Sequence, residues 1–151
     1  MDKAPARFTM DRRAAVARLL EACGDALVIT GDGEQLMAFG ALATIAVARP
    51  RNLDIIVLDN EHFGETGMQE SHTGRGIDLA AVAAAAGFAV TGMIRTLDEV
   101  NGLCTTLQAP AEGPRLHVLK VHAENLPRSL PPRDAVFVKN RFRAHLGLGT
   151  C

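Results

Sequence analysis

Apolar positions along this chain follow two rhythms. Val16, Leu19, Leu20 and Cys23 recur at spacings of three and four, so 11–23 reads as a helix with Asp11 at its cap. The runs Ala26-Leu27-Val28-Ile29-Thr30 and Leu53-Asp54-Ile55-Ile56-Val57-Leu58 are short and nearly unbroken, the pattern of strands buried on both faces. Between them, Gly31-Asp32-Gly33 breaks the first run, and residues 34–48 have helical length and composition, stopped by Arg49-Pro50. Strand, Gly-rich turn, helix, strand makes a βαβ unit with parallel strands.

Beyond Asn60 the apolar pattern lapses. Residues 61–77, rich in Gly, Thr, Glu and His, read as a long polar loop, and unstructured loops of that length usually serve function. Asp78 caps a helix through Ala86 that Gly87 closes. Strands follow at 89–94 and 116–121, with a helix over 97–107 between them. A Pro-rich link at 127–132 leads to a basic final helix over 134–146, read as a docking tail covering 127–151, with Val136, Phe137, Asn140 and Arg141 on its contact side. The predicted class is α/β: one domain over 1–151, a parallel sheet with helices on both faces.

Composition narrows the function. Lys and Arg total 16 against 17 Asp and Glu, so the basic excess of a nucleic-acid or membrane-surface protein is missing. No apolar stretch is long enough to span a bilayer, and the first residues lack the apolar core of a signal peptide. Three widely spaced cysteines, Cys23, Cys104 and Cys151, match neither a disulfide framework nor a metal cluster. These readings point to a reducing, cytoplasmic setting.

The candidate chemistry lies at the two strand ends. In an open parallel sheet, ligands bind beyond the carboxyl ends of the strands. Asp32 and Asn60 both lie just past such ends, 28 positions apart, and can face a common point. Gly31 and Gly33 let backbone approach a ligand, and the helix beginning near Glu34 aims its free N–H groups at the same place. A carboxylate, an amide oxygen and a phosphate site together suit Mg²⁺ holding a diphosphate, since that ion prefers hard oxygen ligands. A lone Gly-Asp-Gly is more often an ordinary turn. The helix and buried strand that lead from it to Asn60 favour the functional reading.

Gly-Asp-Gly followed by that helix and strand resembles the thiamine diphosphate motif. The block Leu58-Asp59-Asn60-Glu61-His62-Phe63-Gly64-Glu65-Thr66-Gly67-Met68-Gln69, with His72-Thr73 and Gly76-Ile77-Asp78-Leu79, resembles the cofactor-binding (beta) subunit of the sulfopyruvate and phosphonopyruvate decarboxylase-like family. Leu130-Pro131-Pro132-Arg133-Asp134 and Lys139-Asn140-Arg141-Phe142 are similar to the end of those small subunits.

The resemblance implies that Asp32, the Asn60 side chain and the backbone carbonyl of His62 bind the metal. It further implies that N–H groups of Gly33 and Glu34, with those near Phe63-Gly64, hold the diphosphate beside Gly31. The loop Glu65 to Thr73, with Thr66, Gly67 and Gln69, would close over thiazolium and substrate. His62 and His72 are the titratable groups for a 2-oxo acid, each with a solvated loop histidine as its bland alternative; His117 and His122 read as structural. The cofactors implied are thiamine diphosphate and Mg²⁺. Glu34, Glu61 and Glu65 lie on the diphosphate side, so the Glu that activates the cofactor is expected from a pyrimidine-domain (alpha) subunit, in a dimer or higher oligomer. Arg75, Arg95, Arg141 and Arg143 are candidates for the substrate's extra anionic group.

One departure stands out. Ala26 to Thr30 runs straight into Gly31, where the family inserts a further βα unit bearing the apolar side chain that bends the cofactor. That keeps a second reading open, a non-catalytic module of the same fold serving assembly or regulation. A third, a carboligase or ferredoxin-linked oxidoreductase subunit, shares the cofactor, though the lack of a cysteine cluster disfavours an iron–sulfur centre in this chain.

Overall fold

A computed structural model describes residues 10–22, 26–124, 130 and 132–149. Cys23, Cys151, the opening segment and most of the Pro-rich link lie outside the described residues. In chain order the elements are α1 (Arg12–Ala22), β1 (Ala26–Gly31), α2 (Asp32–Met37), α3 (Ala41–Ala48), β2 (Leu53–Asp59), β3 (His62–Phe63), β4 (Gln69–Glu70), α4 (Leu79–Ala86), β5 (Val90–Ile94), α5 (Leu97–Gln108), β6 (Arg115–Lys120) and α6 (Ala135–His145).

Four strands form one parallel sheet in the order β1-β2-β6-β5. Side chains alternate across it. Ile55 and Val57 pack with Leu42, Ala46, Leu79, Ala83, Leu116 and Val118 on the face covered by α3 and α4. Ile56, between them, packs with Ala15, Leu19, Val100, Leu103, Leu107 and Leu119 on the face covered by α1 and α5. A strand buried on both faces carries apolar residues on both, which is why Ile55 to Leu58 show no alternation between its paired ends Asp54 and Asp59. The predicted α/β class, the parallel βαβ unit and helices on both faces are all present.

The α4 and α5 termini follow sequence rules. Asp78 accepts from Ala81 N at 3.0 Å, and Gly87 closes α4 at φ 106. Thr96 and Glu99 form a reciprocal capping box at α5. Asp134 likewise caps α6, whose Val136, Phe137 and Phe142 are exposed.

Two expectations are corrected. Residues 34–48 are two helices, because the chain switches to tight turns after Ala38, with Ala41 N on Ala38 O at 3.0 Å and Ala43 N on Gly40 O at 3.2 Å. Gly40 marks that break in the sequence, but a lone glycine in an Ala-rich stretch is weak evidence of one. Residues 61–77 are not featureless: β3 and β4 pair antiparallel, His62 with Glu70 and Phe63 with Gln69, and short 3₁₀ turns cover Gly64–Thr66 and His72–Arg75. Two-residue strands carry too little pattern to be read from sequence.

Candidate functional site

The chain leaves β1 at Gly31 and enters α2 at Asp32, while β2 ends at Asp59 with Asn60 next. Beyond these adjacent strand ends opens a cleft of about 870 Å³. Gly31, Asp32, Gly33, Glu34, Asn60, His62, Phe63, Gly64 and Thr66 line it. Gly67, Gln69 and His72 do not. Gln69 folds back on the hairpin turn, its amide nitrogen donating to Thr66 O at 2.9 Å and its oxygen accepting from Thr66 Oγ1 at 2.9 Å. His72 opens the second 3₁₀ turn and meets the Phe63 ring edge to face, 6.3 Å between centroids.

The two glycines differ in what they leave free. A Cβ on Gly31 would meet nothing within 4 Å, so space remains there for a ligand. A Cβ on Gly33 would lie 2.6 Å from Phe63 Cδ1. Gly33 is therefore small to admit a protein ring, and the expectation that both glycines clear space for a ligand holds for Gly31 alone. No side chain caps α2, leaving the N–H groups of its first turn without a side-chain acceptor at Gly31.

Asn60 and His62 are set by a sharp bend. Glu61 takes φ 63, left-handed and uncommon for a residue with a Cβ. Three contacts hold it there: Glu61 N donates to Asp59 Oδ1 at 2.9 Å, His62 N donates to Asn60 Oδ1 at 2.9 Å, and Lys120 Nζ meets Glu61 Oε1 at 2.9 Å. The His62 ring lies with Nδ1 2.8 Å from the Asn60 carbonyl. A carbonyl only accepts, so Nδ1 carries the hydrogen and Nε2 is the basic nitrogen of the neutral ring.

Behind the cleft wall lies a buried polar network. Ser71 Oγ is 2.5 Å and Thr73 Oγ1 3.2 Å from Asp32 Oδ2; Thr73 Oγ1 is 2.8 Å from Asp59 Oδ1; the two hydroxyls are 2.8 Å apart. Four oxygen–oxygen contacts share two hydroxyl hydrogens, so two of them lack a proton when both carboxylates are ionised. Asp59 pairs with Lys120 Nζ at 2.6 Å, a cation it shares with Glu61. Among the described residues Asp32 meets hydroxyls and no cationic side chain. Burial first, and then the nearby charge of Asp59, push the Asp32 carboxyl above the ordinary carboxylate range, against the pull of the Ser71 and Thr73 hydrogen bonds. A divalent cation at Asp32 would supply the missing positive charge. The oxygens on offer, a carboxylate, an amide and a backbone carbonyl, are of the hard type that Mg²⁺ takes. Among the described residues no group of three or more His, Cys, Asp or Glu could hold a metal, so a cation here depends on amide and carbonyl oxygens.

Sequence reasoning missed Asp59, Ser71, Thr73 and Lys120. The available signal was charge at strand tips that are otherwise apolar, Asp59 on β2 and Lys120 on β6. Ser71 and Thr73 flank His72, which drew the attention instead. It also missed Arg12, which lines the cleft with its Nε buried and without a hydrogen-bond partner while Nη2 donates to Glu124 O at 3.2 Å. The arginines named from the sequence lie elsewhere: Arg75 pairs with Glu70 at 2.8 Å, Arg95 reaches the Met93 sulfur, Arg141 lies over the Phe137 ring, and Arg143 donates to Gly149 O. None of the four lines the cleft.

Residues 9–121 match the family described as thiamine pyrophosphate enzyme, C-terminal TPP binding domain. Among curated proteins, the phosphonopyruvate decarboxylase of Streptomyces viridochromogenes is 37% identical over 123 residues, 78% of this chain and 30% of that one. The sulfopyruvate decarboxylase subunit beta of Methanococcus maripaludis is 34% identical over 119 residues, 77% of this chain and 61% of that one. The chain therefore spans less than two thirds of either relative. The benzoylformate decarboxylase structure from Polynucleobacter necessarius shares the fold with a TM-score of 0.58 at 19% identity, over 76% of this chain and 23% of that one.

Proposed function

Because the chain belongs to the thiamine pyrophosphate enzymes, through their C-terminal TPP binding domain, we propose that it is the cofactor-binding subunit of a thiamine diphosphate-dependent 2-oxo acid decarboxylase. Its substrate is a 2-oxo acid of the sulfopyruvate or phosphonopyruvate kind, after the names of the relatives. A pyrimidine-domain subunit supplies the activating Glu and completes a hetero-oligomer.

Thiamine diphosphate supplies the electron sink that lets a 2-oxo acid lose CO₂. The part of this chain is to grip the diphosphate. Asp32, the Asn60 side chain and the His62 carbonyl hold Mg²⁺; N–H groups of Gly33, Glu34 and Gly64 take phosphate oxygens, and Gly31 leaves them room. The single observation that carries the reading is the Asp32 carboxylate, buried beside Asp59 and short of positive charge at the mouth of a strand-end cleft. His62, with Nε2 as its basic nitrogen, is the group for proton transfer at substrate. Arg12 is the cleft-lining cation for an anionic substituent. Thr66 flanks the cofactor, with the turn through Gly67 and Gln69 behind it; His72, edge-on to Phe63, serves the reaction only if that ring turns.

A second reading, a non-catalytic module of the same fold, is favoured by one feature: β1 passes directly into Gly31, with no βα unit between. Co-expression with a pyrimidine-domain partner separates the two. The proposal expects CO₂ release from sulfopyruvate or phosphonopyruvate only with the partner, thiamine diphosphate and Mg²⁺ together; cofactor binding without turnover in any pairing leaves the second reading.

A further inference from the structure

The same two hydroxyls that crowd Asp32 bear on which cation the site accepts, an argument that rests on the cation site of the proposed function. Ser71 and Thr73 are fully or nearly fully buried. Their turn is fixed from both sides, by Ser71 N donating to Glu61 O at 2.8 Å and by Thr73 Oγ1 donating to Asp59 Oδ1 at 2.8 Å. Both hydroxyl oxygens converge on one atom, Asp32 Oδ2, at 2.5 and 3.2 Å. Ser71 holds this oxygen through the shorter contact, and Thr73 Oγ1, its hydrogen spent on Asp59, crowds it from the same turn. A cation approaching Oδ2 to about 2.0–2.6 Å has to displace one of them.

Asp32 thus has one oxygen, Oδ1, to give. Asn60 is constrained in the same way, its Oδ1 fixed by His62 N at 2.9 Å and single by chemistry. Mg²⁺ takes one oxygen from each carboxylate in a six-coordinate shell and fills the rest with phosphate oxygens and water. Ca²⁺ takes six to eight oxygens at longer distances and commonly chelates both oxygens of a carboxylate. We propose that Ser71 and Thr73 make this site selective for Mg²⁺ over Ca²⁺ by denying the cation the second oxygen of Asp32. They are positioning residues, acting through Asp32 and touching neither cation nor cofactor.

The test is calorimetric titration of the full chain with thiamine diphosphate in Mg²⁺ or in Ca²⁺, read as the ratio of the two dissociation constants. The wild type is expected to bind more tightly in Mg²⁺. Ser71→Ala, which leaves Thr73 to serve Asp59, should lower the preference about tenfold, the weight of one hydrogen bond to a charged group. Thr73→Val should lower it further, and Thr73→Ser, which keeps the hydroxyl, should restore the wild-type ratio. Weaker binding in both cations with an unchanged ratio would make the hydroxyls merely structural and overturn the inference, while the cation site itself would stand. A wild type indifferent to either cation would remove the site and the inference together.

Discussion

Two buried ionic groups stand at opposite ends of the same pair of strands, and they are built differently. At the amino end, Asp54 of β2 lies in register with Arg115 of β6; at the carboxyl end, Asp59 lies in register with Lys120. Arg115 spends its five side-chain N–H groups on five acceptors. Nε and Nη2 grip the Asp54 carboxylate at 2.5 and 2.8 Å, while Nη1 and Nη2 also cap the last carbonyls of α5 at Thr106, Leu107 and Ala109. One positive charge meets one negative charge, and a helix end is satisfied with them. At the other end Lys120 is shared between Asp59 and Glu61, and Asp32 joins through hydroxyls alone. A balanced pair is structural; a cluster left short of positive charge at the mouth of a cleft suits a ligand that brings its own cation.

The largest effects should come from removing each cation. Arg115→Met takes the ion-pair partner from buried Asp54 and Lys120→Met from both Asp59 and Glu61, and each should cost about 3–5 kcal/mol or more by urea denaturation. The comparison sharpens in the double variants. Asp54→Leu with Arg115→Met should regain most of the loss and keep cofactor binding, because a closed pair is replaceable by apolar bulk. Asp59→Leu with Lys120→Met should regain less, because Glu61 keeps its buried carboxylate without Lys120, and should lose cofactor binding, since the Glu61 bend and the Thr73 anchor go with it. Cofactor affinity surviving that second pair would erase the distinction between the ends.

His117, on the same strand between the two groups, offers a smaller effect. It is buried with neither ring nitrogen hydrogen-bonded, and Gly92 of β5 makes room for it, a Cβ there falling 3.1 Å from Nδ1. Burial lowers its pKa from 6.5 to about 4, with the Asp54 charge opposing and the Arg115 charge assisting. The folded form holds a neutral ring, so its contribution is complete above pH 6.5. It shrinks as pH falls and the unfolded chain takes up the proton, and it is gone near pH 4, a loss on the order of 3 kcal/mol. His117→Leu should flatten the stability profile in that window, as followed by denaturant midpoints; an unaltered slope would assign the acid sensitivity to other groups.

Smaller still are the glycine substitutions at the cleft. Gly33→Ala drives a methyl into the Phe63 ring and should cost about 1–3 kcal/mol by overpacking. Gly31→Ala places its methyl in open space and should change stability by less than about 0.5 kcal/mol, while weakening thiamine diphosphate binding. Equal stability losses at the two positions would mean that Gly31 also serves packing.

Much of this molecule could be read before any coordinates. Continuous apolar runs announced β1 and β2, although β1, at the sheet edge, leaves Val28 exposed and is not buried on both faces as its run suggested. The Asp78 cap placed α4 near its observed start, because such signals act within a few residues of one another. Asp32, Asn60, His62 and Phe63 were named for the cleft that they line. What stayed hidden depends on contacts distant in sequence. Ser71 and Thr73 matter because a turn carries them back to Asp32, 39 and 41 positions away. Lys120 looks like an ordinary charged strand end until its 59-residue separation from Glu61 closes in space. The break at Ala38–Gly40 was marked only by the lone Gly40 in an Ala-rich helical stretch, and Gln69 and His72, chosen by resemblance, make their contacts within the hairpin, with Thr66 and Phe63.

The most direct test is the thermal midpoint of wild type and Asp32→Asn, each with and without Mg²⁺ and thiamine diphosphate. Asp32 has a raised pKa in the fold, so its ionisation costs stability as pH rises beyond 3.8, and below that value the carboxyl is protonated in both states. At neutral pH the account predicts that unliganded Asp32→Asn melts above unliganded wild type, and that only wild type gains stability from the metal and cofactor. A variant that melts lower, or that gains as much from the ligands as wild type does, would contradict it.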